Sequence, residues 1–350
     1  DACYWGDDVT QVAYDTVFWY RFPLLKKAHA RSEFHEEEGY EKFCMESWYW
    51  LNDYALYMAL KFHFDNQEWL AWPEDIRFRK RDAVERYKEE LKEEIDFWKF
   101  LQYKFFQQWK KLRAYANSQG ISIIGDIPIY VALDSADVWN HPELFLLDEE
   151  SLTPLKVAGV PPDAFSETGQ LWGNPLYRWD VQEKTDFAWW KERMKASGRL
   201  YDVVRIDHFI GVVQYYAIPA GAEDGRTGEW LKGPGKKLTD AIGQVIGDTK
   251  IIAEDLGIFV PEVKALLEET GYPGMKIIEF AFSGDRFNEH LPHMYTPNSV
   301  VYGGTHDNET LVGYFKPEER QWWELQYIAD YMGVSHQDQV VDRVMFTAYG

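Results

Sequence analysis

Four stretches of this chain end in side chains that can move protons or hold charge. Val203-Val204-Arg205-Ile206 runs into Asp207-His208-Phe209, and Ile121-Ser122-Ile123-Ile124-Gly125 runs into Asp126. Lys250-Ile251-Ile252-Ala253 runs into Glu254-Asp255, and Val300-Val301-Tyr302-Gly303-Gly304 runs into Thr305-His306-Asp307-Asn308. Each opens with the apolar residues of a buried strand. Two carboxyl groups about 5–5.5 Å apart suit a retaining double displacement at a sugar carbon. One stays ionised and attacks; the other keeps a proton near neutral pH and gives it to the leaving group. Asp207 and Glu254 are the candidates for this pair, with Asp307 as a third acid that favours an oxocarbenium-like transition state. Arg205 lies two residues before Asp207, hence on the same strand face, where it should lower the Asp207 pKa. Neighbouring carboxylates, Asp255 among them, should raise that of Glu254. His306 can donate a hydrogen bond to the same sugar. Taken singly, each acid reads more readily as a helix cap or half of a buried ion pair. Their recurrence on successive strands is what argues for chemistry. His208, Asp255 and His306 raise the alternative of a metal site, but no HxH or HExxH spacing supports one, so no metal is expected.

Carboxylates delivered at the ends of several strands require strands that point the same way, as in a parallel α/β barrel. Five such strands are expected, at 121–125, 203–206, 250–253, 275–280 and 299–304. Helices are expected over 181–197, 237–246, 261–270, 318–332 and 338–348. Eight strands close a barrel, so this reading leaves it incomplete. An open doubly wound sheet is the alternative, but no Gly-rich phosphate loop follows any strand. Residues 1–118 read as a helical subdomain. It holds a helix over 15–30 broken at Pro23, an aromatic stretch over 43–64, a connector around Trp72-Pro73, and one long helix over 82–118. The last has apolar residues every three or four positions from Val84 to Tyr115, the stripe of one helix face. Residues 119–350 read as the barrel portion. Within it 134–180, rich in Pro, Gly, Asp and Trp, reads as a long structureless loop, which in a compact domain is usually functional.

Bulk properties narrow the partner. Acidic residues outnumber basic ones by 58 to 37, a net charge of −21. That charge repels phosphate, so neither nucleic acid nor an anionic membrane is expected; a neutral substrate fits. Aromatics make up 17% of the chain, which serves core packing or the stacking of sugar rings. No apolar run is long enough to span a membrane. Cys3 and Cys44 are too few for a disulfide framework, which points to a reducing compartment, the cytoplasm or a plastid. The chain starts at Asp1 rather than Met and offers five strands, so a fragment of a longer protein is expected.

The strand-end blocks carry a resemblance. Arg205-Ile206-Asp207-His208-Phe209, Ala253-Glu254-Asp255-Leu256-Gly257 and Thr305-His306-Asp307-Asn308-Glu309-Thr310 resemble the signature blocks of the 4-alpha-glucanotransferases, the amylomaltases or disproportionating enzymes of glycoside hydrolase family 77. Gly125-Asp126-Ile127-Pro128-Ile129-Tyr130-Val131 resembles their first block. The run from Gly159-Val160-Pro161-Pro162-Asp163 to Trp172-Gly173-Asn174-Pro175 resembles their active-site loop. The resemblance extends to Asn52-Asp53-Tyr54-Ala55-Leu56 and the Phe97–Asn117 helix. It implies a TIM-type (β/α)8 barrel of which this chain supplies strands 3 to 7, with a large helical insertion. It implies that Asp207 is the nucleophile, Glu254 the general acid/base and Asp307 the transition-state stabiliser, with Arg205 and His306 holding nucleophile and sugar. Asp126, Tyr130, Asp163, Phe165, Trp172 and Asn174 are implied to bind substrate. The implied reaction transfers an α-1,4-glucan segment to the 4-hydroxyl of another glucan, with retention, no metal and no organic cofactor. The sequence departs from the pattern at Ala164, where some members carry Tyr. An α-glucan hydrolase or branching enzyme of the amylase clan, or an inactive glucan-binding fragment, are the rival readings.

Overall fold

In the computed structural model the β-branched runs become short parallel strands, and the aromatic-rich first third becomes helices. The structure describes residues 6–163, 166–316, 318, 320–335 and 339–349. Among them are nine strands: β1 (Ile124–Pro128), β2 (Lys156–Val160), β3 (Gln170–Pro175), β4 (Val203–Asp207), β5 (Gln214–Pro219), β6 (Glu229–Lys232), β7 (Lys250–Ala253), β8 (Gly274–Ile277) and β9 (Ser299–Tyr302). The chain folds as two compact units. One comprises Asp1–Ile121, Tyr130–Glu192 and Ala217–Glu229; the other comprises Ser122–Ile129, Arg193–Tyr216 and Trp230–Gly350.

The first unit is mostly helical. Its first helix, Tyr14–Ala30, runs through Pro23 without the expected break. Proline removes one backbone donor, but the turn around it is held by Phe18 and Phe22 packing on Phe62, with Phe22 also against Phe97 and Trp98. The expected 43–64 stretch is two helices, Glu38–Glu46 and Trp48–His63, parted at Ser47. The expected single helix over 82–118 is also two, Arg81–Glu90 and Lys92–Ser118, parted at the buried Leu91. The predicted stripe buries Val84, Tyr87, Leu91 and Trp98 but leaves Phe105, Leu112 and Tyr115 exposed. For Leu112 and Tyr115 the cause is length. Trp48–His63 packs on Lys92–Ser118 with Phe62 against Trp98 and Trp50 against Phe106, so the partner helix ends near Phe106. At 1.5 Å per residue, the longer helix outruns it by roughly 16 Å.

Among the described residues, the stretch expected as structureless, 134–180, carries regular elements instead. It holds the helix Ala136–Asn140, capped by the Ser135 hydroxyl accepting from Val138 N–H, and the antiparallel pair β2–β3 with Gly159 opposite Leu171 and Val160 opposite Gln170. Most of β3 faces solvent, so it lacks the apolar alternation that would mark a strand in sequence.

The second unit is built on parallel strands. β1, β4 and β7 pair in the order β1-β4-β7, and β8 pairs with β9. The first strand lies three residues downstream of its expected position. Asp202 holds its approach by accepting from Ile123 N–H at 2.8 Å. Gly125 is required there because a Cβ would stand 2.0 Å from the Tyr201 ring. The strand expected over 275–280 stops at Ile277 and continues as a 3-10 turn, Ile278–Phe280. The helix expected over 261–270 is found at Pro261–Thr270, with proline opening it and Gly271 closing it in the left-handed region (φ +71°). The 181–197 helix is two, Trp179–Lys184 and Ala188–Leu200. Among the described residues no helix is long and apolar enough to cross a membrane.

Candidate active site

The parallel register brings the charged residues together. In β1 and β4, Asp126 stands opposite Arg205, so their side chains leave the sheet on one face. Arg205 Nη1 donates to both carboxylate oxygens of Asp126, at 2.8 and 2.7 Å. Two residues further along the same face, Asp207 Oδ1 lies 2.9 Å from Arg205 Nη2. Asp126 is thus inside its strand rather than at its end, and one guanidinium bridges two carboxylates. Arg205 Nε also donates to Met275 Sδ at 3.2 Å, a contact from β8 that sequence reasoning missed.

The register continues into β7. Ile206 pairs with Ala253, so the next residues on the two strands, Asp207 and Glu254, are neighbours about one strand spacing apart, roughly 5 Å. Glu254 is only 8% exposed. Its Oε2 accepts from His208 N–H at 2.8 Å and its Oε1 from Leu256 N–H at 2.9 Å. His208 reaches that position with φ +53°, a left-handed conformation costly for a residue with a Cβ. Its ring is buried, which lowers its pKa to about 4, so it is neutral at physiological pH.

The two central carboxyls differ from expectation in cause. Burial, followed by the charge of Asp207, pushes Glu254 up to about 7; its two amide donors oppose the shift and lose. Asp255 is not the cause. Its carboxylate accepts from Met275 N–H at 2.7 Å and packs where Gly274 leaves room, so it anchors the start of β8. For Asp207 the expected lowering is overturned. Burial raises it, Arg205 pulls it down, and the charges of Asp126 and Asp307 raise it again, with the net direction upward. The guanidinium is shared with Asp126, which leaves Asp207 less than a full counter-charge.

His306 and Asp307 follow β9. Their side chains are 71% and 72% exposed, with His306 Nε2 3.5 Å from Asp307 Oδ2. Thr305 closes the turn beneath them, its N–H and hydroxyl both donating to Asn308 Oδ1 at 2.9 Å. A cavity of about 660 Å³ lies here, lined by Tyr302, Gly303, Gly304, His306, Asn308 and Glu309 among others. Among the described residues no three His, Cys, Asp or Glu side chains are grouped to hold a metal ion.

The remaining expected residues fall in the first unit. Asp163 Oδ1 accepts from Ser166 N–H at 2.8 Å, so it also closes its own turn. Trp172 is 37% exposed, its Nε1 donating to Gln170 Oε1 at 2.9 Å. Its ring centroid is 6.3 Å from that of the buried Tyr130. Asn174 Nδ2 donates to Val131 O at 2.9 Å, tying β3 to the segment that carries Tyr130. Phe165, and Ala164 beside it, lie outside the described residues.

Known proteins share this arrangement of sequence. A family model described as 4-alpha-glucanotransferase matches residues 4–349. A 4-alpha-glucanotransferase of Clostridium butyricum is 51% identical over 89% of this chain, and one of Streptococcus pneumoniae is 45% identical over 98% of it. The chain spans 64% of the first relative's length and 68% of the second's. Among solved structures, an amylomaltase from Streptococcus agalactiae in complex with acarbose superposes with a TM-score of 0.93 at 40% identity, covering 99% of this chain and 70% of that one. That similarity supports an α/β fold of the TIM-barrel type.

Proposed function

The chain belongs to the 4-alpha-glucanotransferases of glycoside hydrolase family 77, and from that premise we propose that it moves α-1,4-glucan segments between maltodextrin or starch chains by a retaining double displacement. The observation that carries this reading is the pair at the ends of β4 and β7. One carboxyl is ion-paired to Arg205; its neighbour is buried and holds a proton to about pH 7. In the first half-reaction Asp207 attacks the anomeric carbon and forms a glycosyl ester. Glu254 protonates the departing 4-oxygen, and the shortened glucan leaves with its new hydroxyl. In the second half, Glu254, now ionised, takes the proton from the 4-hydroxyl of an acceptor, which attacks the same carbon and frees Asp207. A group titrating near neutrality suits both duties. Asp307 supports the positive charge of the flattened sugar, and His306 donates to its hydroxyls. Arg205, held by Asp126, keeps Asp207 aimed and counters part of the burial that opposes its ionisation.

The aromatic pair Trp172 and Tyr130, together with Phe165, Asp163 and Asn174, binds the glucan chain in this reading. In this reading residues 1–118 are a helical subdomain, and the parallel strands of barrel type come from 119–350. The acarbose complex of the streptococcal neighbour supports an α-glucan as the ligand class. No metal or organic cofactor enters the scheme. A reducing compartment such as the cytoplasm fits the two cysteines.

Thin-layer separation of the products from maltotriose tests the reading. Transfer yields a ladder of longer maltodextrins plus glucose. Glucose and maltose alone would mean hydrolysis, and an unchanged substrate would mean glucan binding or no action at all; either result overturns the proposal.

A further inference from the structure

The turn after β8 carries another buried carboxyl, Glu279, which the scheme above leaves unused. Glu279 is 2% exposed, and its Oε1 is closed off from solvent with no hydrogen-bond partner among the described residues. Its backbone is tied on both sides: N–H donates to Gly303 O at 3.1 Å, and its carbonyl accepts from the Tyr314 hydroxyl. The side chain lies against Gly304. A Cβ at that position would stand 2.8 Å from Oε1 and 3.0 Å from Cδ, so glycine there is a condition for the carboxyl to fit. The residues that follow Gly304 are Thr305, His306 and Asp307.

A buried carboxylate with an undonated oxygen is costly, whereas a neutral carboxyl in the same place costs far less. Among the described residues, the charged and titratable groups facing Glu279 are Arg320, Glu309 and Tyr314. Burial outweighs the attraction of Arg320, Glu309 adds repulsion, and the acid is pushed up to about 7.

We propose that Glu279 in its neutral form is a positioning residue for the His306–Asp307 arm, supporting Gly304 from below and so setting where the end of β9 presents the third carboxylate. This rests on the reading of Asp307 given above. Ionisation places an unpaired charge under Gly304 and beside Glu309, and the arm loosens.

The test compares the full chain with its Glu279→Gln variant, which keeps the shape and cannot ionise. Two readouts are taken at about pH 6 and about pH 8: transfer kinetics on maltotriose, and hydrogen exchange of the Gly303–Asn308 amides corrected for the intrinsic chemical rate. Glu254 titrates in both proteins and cancels in their ratio. The kcat of the wild type relative to the variant should fall roughly tenfold over that range, with a smaller change in KM, because about nine-tenths of an acid is ionised one pH unit above its pKa. The wild-type segment should lose protection over the same range while the variant does not. A pH-independent kcat ratio with identical protection overturns the proposal. Wild-type protection that does not change with pH overturns it on its own, whether or not the variant folds. An Asp307→Asn variant separates the premise: if it still transfers glucan, the role of Asp307 fails, while the exchange readout still decides whether Glu279 supports the segment.

Discussion

Replacing Glu254 by Gln should make the protein's stability less sensitive to pH while removing its acid/base. The side chain is 8% exposed, and burial together with the Asp207 charge raises its pKa from the ordinary 4.5 to about 7. The folded protein therefore holds a proton that the unfolded chain releases. The contribution of Glu254 to stability is fully present below about pH 4.5, falls as pH rises, and is gone above about pH 7. Over the whole window, a shift of about 2.5 pH units at about 1.4 kcal/mol each gives roughly 3 kcal/mol. Between about pH 5 and about pH 8 the same linkage gives about 2.5 kcal/mol. Glutamine keeps the volume and does not titrate, so the variant lacks this loss. It also presents an amide NH2 to one of the two N–H donors, of His208 or Leu256, but that cost is the same at both pH values and drops out of the difference. Glu279 titrates in both proteins and drops out as well. Urea unfolding at the two pH values measures the quantity. The variant should gain about 2.5 kcal/mol on the wild type from the lower to the higher pH. Parallel losses in the two proteins would refute the reasoning: Glu254 would then ionise as readily folded as unfolded, and no proton would be held near neutrality for a leaving glucan.

Other outcomes follow from the same geometry. Asp207→Asn should abolish a covalent glycosyl intermediate, because an amide is a poor nucleophile; mass spectrometry with a slow fluorosugar donor checks this, and a label on another acid would reassign the role. Arg205→Leu leaves two carboxylates facing without a cation. Its side chain is 11% exposed, but those of Asp126 and Asp207 are 44% and 42% exposed, so solvent screens part of the loss and about 2–3 kcal/mol of stability should go. The same change should move the acidic limb of the pH–rate profile to higher pH, since Asp207 must ionise without help; an unmoved limb contradicts the ion-pair role. Gly125→Ala drives a methyl into the Tyr201 ring and should cost about 1–3 kcal/mol, read by denaturant unfolding. Trp172→Ala should weaken maltodextrin use by roughly 1–3 kcal/mol, the worth of a large apolar face; unchanged KM with lowered thermal stability would make the ring a loop anchor only.

Residue type and short-range periodicity were enough to locate β4, β7 and the Pro261–Thr270 helix, because buried parallel strands and proline-opened helices are marked by their own residues. They were also enough to single out Arg205, Asp207, Glu254 and Asp307, since carboxylates ending successive apolar runs are a pattern visible along the chain. The β2–β3 pair was not legible, because a solvent-facing strand needs no apolar alternation. Nor was the point where the stripe of the Lys92–Ser118 helix ceases to be buried, which depends on the length of the helix packed against it. Only the tertiary structure decided which charges meet. Arg205 and Asp126 are 79 residues apart in sequence and opposite each other across two strands. That partner takes a share of the guanidinium, and burial then turns the pKa of Asp207 upward where adjacency in sequence had suggested the reverse. Glu254 likewise owes its proton to burial and to a charge on the neighbouring strand, not to Asp255 beside it. A sequence names the groups that can ionise, but solvent exclusion and the distance to other charges set how they do, and both exist only once the chain has folded.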